Sequence, residues 1–281
     1  MRQIFPAAAD GCEIALAEPG KASSATLDAL AGLYAYPRQE ASAGRPWVRA
    51  NMVMSADGAA WLAGRAGGLS GLADRLVFAV LRSLADVILV GAGTARDERY
   101  RPVSAAQAYP ALREGRAATP PIAVVSRALD LDLEGRLLAG EPGRARTIVL
   151  TTEAAPADRR AAAARHADVI VTGESLVTAA SAVSALAARG LTRILAEGGP
   201  TLLGFIAAER LLDELCLTYS PMLIGGDAGR IVVAPAGQGG SAPLAGLSLA
   251  HVLEGGGHLL CRYLCGPAGV TAAGRVTAAA G

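Results

Sequence analysis

The chain has 281 residues, of which 52% are hydrophobic and only 4% aromatic, and its 26 basic and 25 acidic side chains leave a formal net charge of +1. That balance excludes a broad electrostatic surface for nucleic acid, and no apolar run reaches the ~18 residues a membrane span requires. The length suits one α/β domain with a core of Ala, Val, Leu and Ile, the composition of helices packed on a parallel sheet.

Residues 1–45 read as a leader with one helix over 24–36, capped by Ser23 or Ser24 and stopped by Pro37. Arg2, Asp10 and Glu13 break its apolar stretch, so no secretory signal is expected. The first strand spans 47–54, and a Gly-rich loop over 64–71 leads into a helix over 72–85. Short aliphatic strands follow at 87–90, 122–125, 147–150, 169–171 and 193–196. Helices near 156–165, 175–189 and 200–211 alternate with the later strands, the pattern of βαβ units. A strand over 214–223 comes next, then an antiparallel hairpin with arms at 247–253 and 259–264. The expected domain covers 46–265, and the small-residue tail over 266–281 frays. The cysteines are Cys12, Cys216, Cys261 and Cys265. They lack the ligand spacing of a zinc site and read as reduced thiols of a cytoplasmic protein, with no metal expected.

In open parallel sheets, ligands bind beyond the carboxyl ends of the strands. The residues there are small, hydroxylated or glycine: Ser55-Ala56-Asp57-Gly58, Gly91-Ala92-Gly93-Thr94, Ser126-Arg127, Thr151-Thr152 and Glu197-Gly198-Gly199-Pro200-Thr201. In the last run two glycines allow close backbone approach and Pro200 opens a helix, so free amides face an anion. An ordinary tight turn explains the same run equally well. Gly91-Ala92-Gly93-Thr94 is no dinucleotide fingerprint, because Arg96 stands where the third glycine belongs. Ser126 and Arg127 suit a 2′-phosphate, although a solvated loop arginine is the commoner reason for such a pair. Asp57 fits either a ligand role or an Asx-type turn, and Arg75 either a phosphate contact or a solvated helix face. His166, His251 and His258 lie away from this edge and receive no catalytic role.

Several segments stand in register with a known pattern. They are Arg45-Pro46-Trp47-Val48, Met54-Ser55-Ala56-Asp57-Gly58, Leu69-Ser70-Gly71-Leu72-Ala73-Asp74-Arg75 and the run from Ala85 to Thr94. The run from Leu195 to Leu202, Leu212-Asp213-Glu214-Leu215 and the run from Ser220 to Gly226 complete the set. Together, over residues 45 to about 226, they resemble the reductase domain of riboflavin-biosynthesis pyrimidine reductases. A stand-alone form is expected, since the H-x-E and P-C-x-x-C zinc signature of the deaminase partner is absent from these residues.

The resemblance implies a dihydrofolate-reductase-like, three-layer α/β/α fold with a mostly parallel central sheet and antiparallel C-terminal strands. It implies NADPH as hydride donor, a homodimer, and a substrate like 5-amino-6-(5-phosphoribosylamino)uracil. Dihydrofolate or another pterin on the same fold, or NADPH binding without catalysis, are the alternatives. Carried over by position, Gly91, Thr94, Gly198, Gly199, Pro200 and Thr201 hold the cofactor's phosphates and nicotinamide half, and Ser126 and Arg127 its 2′-phosphate. Ser55, Asp57 and Ser70 line the nicotinamide–substrate junction. Asn51, Arg75 and Arg101 meet the substrate, and Glu197 and Glu98 are the candidate catalytic carboxylates. The departures fall on the substrate side. Asn51 stands where the pattern often has Lys, Glu98-Arg99-Tyr100 where it often has Asp-Asn-Pro, and only Arg101 supplies the basic residue expected next.

Overall fold

Uninterrupted β-branched and aliphatic runs form the strands, and stripes of small and aliphatic residues form the helices that cover them. The computed structural model describes residues 1–7, 13–37, 45–104, 107–113, 115–139, 144–235 and 244–266. Cys12 and most of the expected tail lie outside the described residues. In chain order the elements are β1 (Arg2–Phe5), α1 (Ser24–Leu33), β2 (Trp47–Ser55), α2 (Leu72–Leu84), β3 (Val87–Gly91), α3 (Ala92–Asp97), β4 (Ile122–Val125) and β5 (Ile148–Thr151). Then come α4 (Ala157–His166), β6 (Asp168–Val171), α5 (Ala179–Ala187), β7 (Arg193–Ala196), α6 (Pro200–Ala208), β8 (Glu214–Ser220), β9 (Gly246–Gly255) and β10 (His258–Gly266).

All strands join one ten-stranded sheet in the order β1-β9-β10-β8-β2-β7-β3-β4-β5-β6. From β8 to β6 every pairing is parallel, and β10, β9 and β1 add antiparallel strands at the other end. The crossovers carry helices on both faces. Leu76, Val80, Leu30 and Ala163, from α2, α1 and α4, pack on one face with Ile88, Val124 and Val149. Val183 and Leu186 of α5 and Leu203 and Ile206 of α6 pack on the other with Val48, Leu89 and Ile194. The β9–β10 hairpin turns on Gly256 (φ +61°) and Gly257 (φ +80°), the paired left-handed residues of a type I′ turn.

The leader is built into this sheet. Its β1 pairs with β9, and a buried ionic cluster ties α1 to the strands. Arg49 of β2 is wholly buried and meets Glu214 of β8 at 2.6 Å. Arg262 of β10 shares that carboxylate at 2.9 and 3.0 Å. Arg49 also donates to Tyr34 O (2.7 Å) and Arg262 to Leu33 O (2.6 Å), so both arginines cap the C-terminal end of α1. This capping explains why α1 ends at Leu33 and does not run on to 36. Strand β8 stops at Ser220, short of 223, because Pro221 has no amide to continue the ladder. Sequence patterning did not anticipate β1, a four-residue edge strand, or α3, a six-residue helix.

Candidate active site

Glycines and a proline shape the loop after β7. The Gly198–Gly199 peptide is cis, and Gly198 adopts φ +89°. Gly198 O accepts from the amide of Gly91 at 2.9 Å, which joins the ends of β7 and β3. A Cβ on Gly199 would run into Thr94 Oγ1, so a larger residue there needs the threonine side chain to move. Pro200 opens α6, and no side chain caps its first turn. The α6 amides therefore remain available to an anion.

Beside this loop lies a cleft of about 950 Å³. The face of α2 carrying Asp74, Arg75, Phe78 and Arg82 lines it, together with Asn51 and Met52 of β2. The segment after β3 supplies Thr94, Glu98, Tyr100 and Arg101, and Gly199 and Pro200 close the cleft on the side of the α6 loop.

At its inner end a buried ionic group joins three elements. Arg82 Nε and Nη2 donate to the two oxygens of Glu197, each at 2.7 Å. The Tyr100 hydroxyl donates to Oε2 of the same carboxylate at 2.7 Å. The guanidinium carbon of Arg82 also sits 4.2 Å from the centre of the Phe78 ring. Burial opposes the Arg82 charge, but Glu197 and Tyr100 outweigh it and hold the guanidinium above its ordinary pKa. Burial and then the neighbouring Glu197 charge push the Tyr100 phenol well above 10. Tyr100 reaches this position through a tight backbone exit from α3. Arg99 takes φ +54°, its amide bonds Arg96 O at 3.1 Å, and the Tyr100 amide bonds Ala95 O at 2.9 Å. These are the paired bonds of a Schellman motif, which usually places glycine where Arg99 stands.

The structure brings together Asn51, Ser70, Arg75, Arg101 and Glu98 with Thr94, Glu197, Gly199 and Pro200 around one cleft. Ser70 Oγ is bonded to Asp74. Glu98 accepts from the Ala66 amide at 2.6 Å through Oε1, and Oε2 has no hydrogen-bond partner among the described residues. Glu197 differs from the expectation for a proton donor. Both its oxygens accept hydrogen bonds, from Arg82 and from Tyr100, so neither is left open toward a ligand.

Ser55 and Asp57 also depart from expectation, because neither lines the cleft. Ser55 is wholly buried. It accepts from the Ala59 amide at 2.8 Å and donates to Asp57. Asp57 in turn accepts from the amides of Ile224 (3.2 Å) and Gly225 (2.7 Å) and fastens the loop after β8. The Ser55 hydroxyl, followed by those amides, lowers the Asp57 pKa to about 2. This is the turn-forming reading of Ser-Ala-Asp-Gly. Gly91 and Gly198 support the loop from beneath, and Thr201 is exposed on α6.

Ser126 and Arg127 lie outside the cleft at the end of β4. Ser126 is buried, and the Thr151 and Thr152 hydroxyls fix the backbone by donating to Arg127 O at 3.3 and 3.1 Å. The Arg127 side chain is exposed and makes no ion pair among the described residues. Sequence reasoning missed Arg82 and treated Tyr100 only as a departure from pattern. A visible signal existed: Arg82 stands one helical turn after Phe78, beside the apolar stripe of α2.

The family model for the RibD C-terminal domain matches residues 46–260. A 2,5-diamino-6-ribosylamino-4(3H)-pyrimidinone 5′-phosphate reductase of Archaeoglobus fulgidus is 33% identical over 148 residues, covering 52% of this chain and 66% of that protein. A reductase of the same name from Methanothermobacter thermautotrophicus is 31% identical over 196 residues, covering 67% of this chain and 84% of the relative. Among solved structures, a pyrimidine reductase-like protein of Corynebacterium diphtheriae superposes with a TM-score of 0.72 at 25% identity, over 84% of this chain and 98% of that one.

Proposed function

Because the chain belongs to the RibD C-terminal domain family, we propose that it is an NADPH-dependent reductase of a 6-ribosylaminopyrimidine 5′-phosphate. One observation carries the reading: Glu197, Gly199 and Pro200 line the cleft at the uncapped start of α6. A ligand in the cleft and an anionic cofactor on the helix would meet there.

The residues present suit a nicotinamide dinucleotide. The α6 amides, with Gly199, Thr201, Gly91 and Thr94 around them, fit a diphosphate. The Arg127 guanidinium, with no ion pair among the described residues, stands beside Ser126 and fits a 2′-phosphate. The bound cofactor supplies a hydride. On the substrate side, Asn51 orients the pyrimidine through its amide, and Arg75 and Arg101 meet the phosphate. Glu98, with Oε2 uncommitted, holds the proton that balances hydride delivery to the imine form of the ribosyl C1. Arg82 and Glu197 position the cleft wall.

The working unit is one domain with the leader completing its sheet, placed in the cytoplasm, where thiols such as the buried Cys216 and Cys261 stay reduced. It forms a homodimer through the apolar strand face at the antiparallel end. Loss of NADPH absorbance on addition of the ribosylaminopyrimidine phosphate tests the function. Oxidation with dihydrofolate alone, or none with either substrate, would overturn it.

A further inference from the structure

The two forms of the candidate substrate differ at C2 of the ring. The relatives in Archaeoglobus and Methanothermobacter are named for a 2-amino-4(3H)-pyrimidinone, whereas the uracil form carries an oxygen at that carbon. An amino group offers only hydrogens there, and the oxo group offers only lone pairs.

We propose that Tyr100 is the residue that reads this substituent, and that it selects the 2-amino form. The inference rests on the reductase reading above and deepens it. Arg82 fixes Glu197 as an acceptor through two bonds of 2.7 Å, and the Tyr100 hydroxyl hydrogen is committed to Glu197 Oε2 at 2.7 Å. Tyr100 is only half-buried and lines the cleft. With its hydrogen spent, the phenol can offer a ligand nothing but the lone pairs of its oxygen. Donation to an anion also polarises that oxygen and strengthens it as an acceptor. Burial and Glu197 keep the phenol protonated across the working pH range, so the hydrogen stays where it is.

An amino group completes a hydrogen bond with such an acceptor. An oxo group there sets lone pair against lone pair and leaves both partners unpaired, and that mismatch produces most polar discrimination between near-isosteric ligands. A tyrosine free to rotate its hydroxyl would serve either form. The carboxylate clamp gives this one a direction.

The test is equilibrium binding to the full chain in the presence of NADP⁺, by calorimetry, of two free bases: 2,5,6-triamino-4(3H)-pyrimidinone and 5,6-diaminouracil. The unmodified protein is expected to bind the triamino base at least ~10-fold more tightly. Tyr100→Phe keeps the ring and removes the acceptor, and should bring the two affinities within about threefold of each other. Tyr100→Gln supplies an amide donor and should raise affinity for the uracil base. Equal affinities in the unmodified protein, tighter binding of the uracil base, no binding of either, or a preference that survives both substitutions would overturn the proposal. A preference in binding without NADPH oxidation on either ribosylamino phosphate would instead sink the reductase reading and leave this one standing. Oxidation of both forms with equal kcat/KM would do the reverse.

Discussion

Gly199 shows how one residue can carry two requirements that a simple substitution does not separate. Its missing Cβ makes room for Thr94 Oγ1 within the fold, and its position at the start of α6 suits close approach of a phosphate. Gly199→Ala alone should lose NADPH affinity on either account and cost about 1–3 kcal/mol of stability from overpacking. In a Thr94→Ala background the clash is relieved. Stability should then recover while NADPH affinity stays below that of Thr94→Ala alone; an affinity equal to that single variant's in a fluorescence titration would assign the glycine to packing alone. Arg127 permits a cleaner experiment because nothing in the described fold depends on its side chain. Arg127→Ala should erode the preference for NADPH over NADH by roughly tenfold or more, the weight of one charge-assisted contact, and an unchanged ratio of dissociation constants would refute its 2′-phosphate role. At this scale the sequence was informative about glycines, prolines and hydroxyls, whose backbone consequences are local. It was uninformative about pairing. Nothing near Glu197 in the chain reveals that Arg82, 115 residues away, occupies both its oxygens. Ser55 and Asp57 look like ligand-edge residues until their bonds to Ala59, Ile224 and Gly225 are seen.

Among the elements, β9 carries a group whose titration should be measurable. His251 is buried, packs edge-on against the Tyr34 ring at 4.8 Å and pairs across the ladder with Arg262. Desolvation, followed by the Arg262 charge, lowers its pKa to about 4, with Glu214 opposing and Arg49 reinforcing the shift. The ordinary value is 6.5, so between those limits the unfolded chain takes up a proton that the folded chain refuses. Stability should therefore fall as the pH drops through that window, by on the order of 1–2 kcal/mol at pH 5 for this group. His251→Phe keeps a ring against Tyr34 and should flatten that part of the profile in urea unfolding. An identical profile in the variant would show that the loss originates elsewhere. The same strands illustrate what patterning can deliver. Aliphatic runs located β4 and β7 to the residue, because buried parallel strands have no competing signal. The end of α1 was misjudged because Arg49 and Arg262 set it, from strands far away in sequence.

For the whole molecule, the antiparallel end of the sheet is the surface to watch. Leu247 and Leu249 of β9 and Leu259 of β10 are each 38–39% exposed. Through the cross-strand pairing of Leu249 with Tyr263 and Leu247 with Cys265, they share the face opposite α1. A symmetric dimer would bury them. Sedimentation at micromolar concentration should report a dimer, and Leu249→Arg should convert it to monomer; a monomeric unmodified protein would remove the proposal. The α/β class, the parallel order and the C-terminal hairpin were all legible in composition and alternation. The place of the leader was not, because its polar ties to the sheet are one short edge strand and the carbonyls of residues 33–35, and backbone groups leave no mark in a sequence.

The bond between Arg82 and Glu197 has one more effect. It fastens α2, which walls the cleft, to the residue that begins the loop after β7, where the proposed cofactor would bind. Coupling between the two proposed sites is the expected consequence, and any such coupling is reciprocal. Whatever factor the pyrimidine adds to NADP⁺ affinity, NADP⁺ must add to pyrimidine affinity. Arg82→Met should do more than destabilise the fold by about 3–5 kcal/mol through an orphaned buried carboxylate. In whatever folded protein remains, it should bring that factor towards one, a ratio that paired titrations read directly.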